Sequence, residues 1–159
     1  MPELQLELTN DELLSTTRAV RKRLDFDRDV PMSAIKECME SAVQAPSGSN
    51  AQGWQFVFVT DKDKREKIGE YYRQAFSQYR HMPFAIHKLH ADSADESLAT
   101  SQERSASSAD YLADNMGKAP VLMIPCIAGR IDNAEGANAS AQAGTMGSII
   151  PAAWSFMLA

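Results

Sequence analysis

One stretch constrains the fold more than any other: Ala45-Pro46-Ser47-Gly48-Ser49-Asn50-Ala51-Gln52-Gly53-Trp54. Upstream, Ile35, Cys38, Met39, Ala42 and Val43 recur at i, i+3, i+4, i+7 and i+8, the spacing of one apolar helix face. That helix starts at Pro31 or Ser33, where a proline suits the first turn, and ends at Ala45. Pro46 cannot continue it. Downstream, Phe56, Val57, Phe58 and Val59 sit in a run from Trp54 to Thr60 that reads as a strand buried on both faces. In the loop between, Gly48 is free to take positive φ or to admit a ligand close to the backbone. Ser47, Ser49, Asn50 and Gln52 supply donors and acceptors at nearly every step. The stretch reads either as a polar helix-to-strand turn or as a cradle for a flat ligand with polar edges.

The rest of the chain supplies the frame. Thr9-Asn10-Asp11-Glu12 has the form of a capping box and opens a short helix to Thr16 or Thr17. Asp61 to Met82 predicts a long helix with Ile68, Tyr71, Tyr72, Ala75, Phe76 and Tyr79 on one stripe, a spacing that suits a core face as well as contact with a ring. Met82 to about Gln102, rich in Ala, Ser, Asp and His, predicts a flexible excursion or lid with broken helix, within a segment, 83–105, whose role the sequence leaves open. His87 and His90 within it are expected to be solvent-exposed, and they lack the further ligand a zinc site needs. A helix resumes from Arg104 to Met116, with Gly117 as its stop. Val121 to Ile127 predicts a second buried strand, and Ala128 to Gly144 a loop of small residues. Ser148 is placed to cap a last helix with Pro151 in its first turn. Ile149, Ile150, Ala153, Trp154, Phe156, Met157 and Leu158 leave that helix apolar almost all round, so it needs a core or a partner to cover it. Its pattern stops in mid-helix at Ala159, which predicts a chain shorter than its relatives.

At 159 residues one domain is expected. A net charge of −5 opposes a nucleic-acid face. No apolar run reaches membrane-spanning length. Cys38 and Cys126 have no metal-type spacing, and they point to thiols in a reducing, cytoplasmic setting. No acid–base pair or nucleophile stands out, so no catalytic residue and no metal ligand is assigned. Against the acidic background, Thr17-Arg18-Ala19-Val20-Arg21-Lys22-Arg23 carries four cations. It reads as a solvated basic patch or as an anion site built from guanidinium forks.

The Arg18–Lys22 segment, the Val30-Pro31 helix start and the Pro46–Trp54 loop leading into Phe56–Val59 together resemble the FMN-dependent nitroreductase family. Lys118-Ala119-Pro120-Val121 and Gly147-Ser148-Ile149 are similar to later parts of the same pattern. Thr17 and Ala19 depart from it, standing where the family often has Arg and Ser.

The resemblance implies an α+β fold: a three-layer α/β/α sandwich around a central, mostly antiparallel sheet. It implies a single domain over residues 1–159 that lacks the family's C-terminal part, and a homodimer with FMN at the interface. It implies a two-step exchange in which NADH or NADPH reduces the flavin and a nitroaromatic, quinone or related small acceptor reoxidises it. The flavin supplies the redox chemistry, which suits a chain with no evident catalytic side chain. A flavin-consuming or dehalogenating relative, and an inactive flavin-binding remnant, are the alternatives. By this resemblance the cofactor-binding residues are Arg18, Ala19, Arg21, Pro46, Ser47, Gly48, Ser49, Asn50 and Gln52. Arg18 is expected at the phosphate, Arg21 at the ring edge that gains negative charge on reduction, and Pro46 against the ring face.

Overall fold

The structure, a computed structural model, describes residues 7–90, 93–129 and 138–159. Among these, five α-helices and two strands follow the order α1 (Asn10–Thr16), α2 (Met32–Ala42), β1 (Trp54–Val59), α3 (Lys62–Tyr79), α4 (Glu96–Asn115), β2 (Leu122–Ile127) and α5 (Ala139–Leu158). Single 3-10 turns stand at Gly48–Asn50 and Met116–Lys118. β1 and β2 pair as a small antiparallel sheet. Just past the strand ends the Ala128 N–H donates to the Gly53 carbonyl at 3.1 Å.

The helix starts follow capping chemistry. Thr9 closes the expected box: its hydroxyl accepts the Glu12 N–H at 3.3 Å while the Glu12 carboxylate accepts the Thr9 N–H at 2.9 Å. Asp61 caps α3 by accepting the Lys64 N–H. Asp95 accepts from both Ser97 and Leu98 and so opens α4 at Glu96, well before the expected start at Arg104. Part of the expected excursion is therefore ordered helix, and residues 91 and 92 of it lie outside the described residues. Asn138 accepts the Ala141 N–H and starts α5 at Ala139. Ser148 is thus a mid-helix residue rather than a cap, and Pro151 is interior, leaving the Gly147 carbonyl without the N–H that would normally reach it. Of the expected small-residue loop, residues 130–137 lie outside the described residues.

The chain divides into two compact units. The first takes residues up to 19, 31–57 and from 125 onward. In it α2 packs on α5, burying Ile35 and Ala42 from one helix and Ser148, Ile149 and Ala152 from the other. The second unit takes residues 20–30 and 58–124. There α3 packs on α4 and on the Met116–Lys118 turn, with Ala85, Ala113 and Leu122 buried. Gly69 and Gly117 meet so closely that a Cβ on Gly69 would lie 2.8 Å from the Gly117 nitrogen. Arg65 ties the same corner by donating to the Thr60 and Ala119 carbonyls.

The strands are not dry on both faces. Gln55 and Val57 of β1 and Ile124 of β2 are exposed, while Trp54, Phe56 and Phe58 are half-buried. The β-branched and aromatic content that marks these segments as strands does not by itself say how much of each face is covered.

Candidate functional site

The Pro46–Gly53 loop belongs to the first unit and forms one wall of a cavity of about 350 Å³. Ser47, Gly48, Ser49, Ala51 and Gly53 face Ala141, Gly144, Thr145 and Ser148 of α5, with Ile127 and Ala128 at the end of β2 closing it. Small residues on α5 leave the space, and the serines and Thr145 edge it with hydroxyls.

Ser148 holds the loop to the helix. Its hydroxyl accepts the Gly48 N–H at 3.0 Å and donates to the Gly144 carbonyl at 2.9 Å. Its main-chain oxygen accepts the Trp54 indole N–H at 2.8 Å. One buried residue thereby grips both ends of the loop. The sequence reading missed this role; the available signal was a serine directly before the apolar run that starts at Ile149.

The loop backbone is unusual at three residues, of which Ser49 lines the cavity. Ser49, Asn50 and Gln52 take φ of +53°, +52° and +49°, the left-handed region. Gly48 does not, so the residue expected to supply positive φ passes that role to its neighbours; a Cβ there would meet the Ser148 Oγ at an ordinary 3.5 Å. Left-handed Ser and Gln each cost on the order of 1 kcal/mol or more, and persist where surrounding bonds over-determine them. Here the Ser47 carbonyl accepts the Asn50 N–H at 2.9 Å and the Ser47 hydroxyl accepts the Gln52 N–H at 3.0 Å. The Gln52 amide donates to the Asn50 side-chain oxygen at 3.1 Å. With Ser47 and Asn50 accepting, the Ser47 O–H and the Asn50 NH2 remain as donors.

Arg18 and Ala19 also belong to the first unit, both exposed. Arg18 folds back to donate to the Ser15 and Thr17 carbonyls at 3.1 and 2.7 Å, satisfying the end of α1. Arg21 belongs to the second unit, where it donates to the Ser108 hydroxyl at 3.3 Å and lines a separate cavity. Lys22 donates to Ser107 at 2.7 Å. The basic segment is therefore no uniform patch.

Two further residues are decided by packing. Cys38 is half-buried on α2; burial, reinforced by the Glu37 charge, pushes its thiol up and keeps it protonated, as suits a small core residue. His87 is not exposed as expected: its side chain is 16% accessible, its Nε2 lies 2.9 Å from the Asp110 carboxylate, and Phe76 meets its ring edge-on. His90 is exposed.

Comparison with known proteins gives these features a context. Over 72 residues the chain is 36% identical to iodotyrosine deiodinase 1 of Rattus norvegicus, and over 57 residues 40% identical to that of Homo sapiens. Over 59 residues it is 34% identical to a putative NADH dehydrogenase/NAD(P)H nitroreductase of Methanothermobacter thermautotrophicus. These stretches span 43%, 36% and 37% of this chain but 25%, 19% and 30% of the relatives. In fold, 95% of the chain matches 68% of a BluB-like flavoprotein from Clostridium difficile 630, with a TM-score of 0.56 at 20% identity. The sequence profile of the nitroreductase family matches residues 14–159. The chain belongs to the nitroreductase family.

Proposed function

We propose that this chain is a flavin-dependent oxidoreductase that binds FMN through the Pro46–Gln52 loop. The carrying observation is that Ser49, which lines a 350 Å³ cavity, and its neighbours Asn50 and Gln52 are held left-handed by hydrogen bonds within the loop. Rigid polar groups on one wall of a space of this size suit a planar ligand with several acceptors and donors at its edge.

The residues present fit such a group. The Ser47 and Ser49 hydroxyls and the Asn50 NH2 offer hydrogen bonds to ring carbonyls and nitrogens. Pro46 offers an apolar face. Arg18 would serve the phosphate, exchanging its carbonyl partners at the end of α1 for a charge-assisted fork. When bound, FMN supplies the electron transfer, taking hydride from NADH or NADPH and passing electrons to a nitroaromatic, quinone or related acceptor. The protein's part would be to hold the ring by the loop's polar groups. Ser148 does this by keeping Gly48 and Trp54 in place, so that little reorganisation accompanies a change of charge on the ring.

We further read the antiparallel pair as part of a three-layer α/β/α sandwich completed in a homodimer. Reductive removal of a halogen from an aromatic acceptor is a second reading, favoured by the identities to the two deiodinases.

The test is direct. Purified protein titrated with FMN is expected to quench flavin fluorescence at one site per chain. Loaded protein is expected to bleach at 450 nm with NAD(P)H and recover with a quinone. Halide release from an iodinated phenol would select the second reading. Protein that neither carries nor takes up FMN would end the proposal.

A further inference from the structure

The cavity beside the Pro46–Gly53 loop has a second wall, the α5 face made by Ala141, Gly144, Thr145 and Ser148. These positions recur at i, i+3, i+4 and i+7, so they form one stripe over two turns. Two hydroxyls stand on it. That of Ser148 is fully used, accepting from the Gly48 N–H and donating to the Gly144 carbonyl. That of Thr145, a half-buried residue, has no hydrogen-bond partner among the described residues.

This sets Thr145 apart within the molecule. A threonine or serine in a helix commonly donates back to the carbonyl one turn earlier. Thr16 and Thr17 do so at 2.6 Å to Glu12 and Leu13, and Ser148 does so at 2.9 Å to Gly144. Thr145 leaves the Ala141 carbonyl alone and keeps its hydroxyl for the cavity it lines. On the loop wall the Ser49 hydroxyl is likewise without a partner among the described residues, on a residue held at φ +53°. Each wall therefore carries one unengaged hydroxyl.

The rest of the lining says what these hydroxyls would meet. Among the described lining residues none is charged, and Ala51, Gly53, Ala128, Ala141 and Gly144 are small. A phosphate dianion would find no cation there to pair with. A flat, neutral edge of carbonyls and ring N–H groups suits the space, because a hydroxyl can answer either kind of atom.

We propose that Thr145 is a further cofactor-binding residue, its hydroxyl and that of Ser49 holding the polar edge of the flavin ring from opposite walls of the cavity. The inference rests on the flavin reading of the same site and extends it from the loop to α5. It assigns the ring edge, and not the phosphate, to this space.

The experiment uses the full chain and FMN, followed by quenching of flavin fluorescence. Thr145→Val, which keeps the shape and removes the hydroxyl, is expected to weaken FMN about five- to tenfold. Thr145→Ser, which keeps the hydroxyl, is expected to stay within about twofold of the parent by the same reasoning. Ala141→Leu, which fills the cavity, is expected to abolish uptake while far-UV dichroism stays as in the parent. With isotope-labelled FMN at saturation, NMR is expected to show a ring carbonyl or ring N–H signal moving between parent and Thr145→Val, with the phosphorus signal unmoved. A parent that binds FMN while Thr145→Val binds it equally well overturns this assignment and leaves the flavin reading standing. Equal losses in Thr145→Val and Thr145→Ser also overturn it, as does a change confined to the phosphorus signal. Unchanged uptake by Ala141→Leu would take the ring out of this cavity. A parent that takes up no FMN ends the flavin reading and this assignment together. Should Thr145→Val fail to fold, Thr145→Ala beside Thr145→Ser decides by the same criteria.

Discussion

The Gly48 N–H donates to the Ser148 hydroxyl at 3.0 Å, joining the polar loop to the middle of α5 across 100 residues of sequence. The same hydroxyl donates onward to Gly144, and the Ser148 carbonyl accepts from Trp54. Ser148→Ala removes the acceptor and leaves the Gly48 N–H unpaired. Loss of a part-buried partner of this kind costs about 1–3 kcal/mol. Urea unfolding is expected to show that loss in Ser148→Ala and a smaller one in Ser148→Thr, which keeps the oxygen. Equal losses in both would place the effect in packing and not in the hydrogen bond.

Two glycines are expected to behave oppositely. Gly69→Ala would drive a Cβ to 2.8 Å from the Gly117 nitrogen and 2.9 Å from its Cα, both rigid backbone atoms. The α3 contact must then open, at about 1–3 kcal/mol by analogy with overpacked cores. Gly147 lies inside α5 with nothing within 4 Å of a new Cβ. Gly147→Ala is expected to stabilise by about 0.5–1 kcal/mol through helix propensity alone. Thermal melts of the two variants beside the parent decide both signs.

The capping box makes the first helix sensitive to acid. The Thr9 N–H, then its hydroxyl, hold the Glu12 carboxyl below the usual glutamate value of 4.5. A carboxyl lowered in the folded state contributes stability above its unfolded value, and that contribution is lost as pH falls through the lowered one. Fraying of α1, followed by NMR shifts of Leu13 and Leu14, is expected to begin below pH 4.5 and to be absent from the pH dependence of Glu12→Gln.

Cys38 titrates the other way. Burial, with the Glu37 charge behind it, raises its thiol above the ordinary 9.0. A thiol raised in the folded state favours the fold below its unfolded value, and that contribution fades as pH climbs through the raised one. Only the thiolate is nucleophilic, so iodoacetamide is expected to alkylate Cys38 more slowly than a free thiol peptide at pH 8. The difference should vanish in urea. Rapid alkylation of the folded protein would show that the α2 packing does not cover this side chain.

α5 keeps a wide apolar face in the open. Ile150, Trp154 and Met157 are 59%, 47% and 63% exposed while Ile149 and Ala152 are buried against α2. At roughly 25 cal/mol per Å², covering three large side chains is worth several kcal/mol, enough to favour association with a second copy. Sedimentation equilibrium is expected to show a dimer at micromolar concentration, and Ile150→Glu to weaken it at least tenfold. A parent monomeric throughout the dilution series would rule this assembly out.

Local chemistry was legible in the sequence. Pro46 marks where α2 must stop, though the helix ends at Ala42, three residues before the expected Ala45; Thr9 and Glu12 announce their own box, and the Ser/Gly/Asn loop between a periodic helix and a β-branched run marks a site candidate. The family pattern is carried by the same residues. These are short-range matters, set by backbone sterics and by side chains bonding within a few residues of themselves. What only the tertiary structure decided depends on neighbours remote in sequence. Ser148 resembles a cap by residue type, but Asn138 starts the helix earlier and frees Ser148 to receive Gly48. Positive φ falls on Ser49, Asn50 and Gln52, in a loop whose turns close on both the Ser47 and the Gly48 carbonyls. Four cations side by side cannot reveal that Arg18 satisfies α1 while Arg21 reaches Ser108. Nor can a stripe at i, i+4 and i+7 say whether its rings fill a core or line a hollow, since that depends on the volume of what packs opposite.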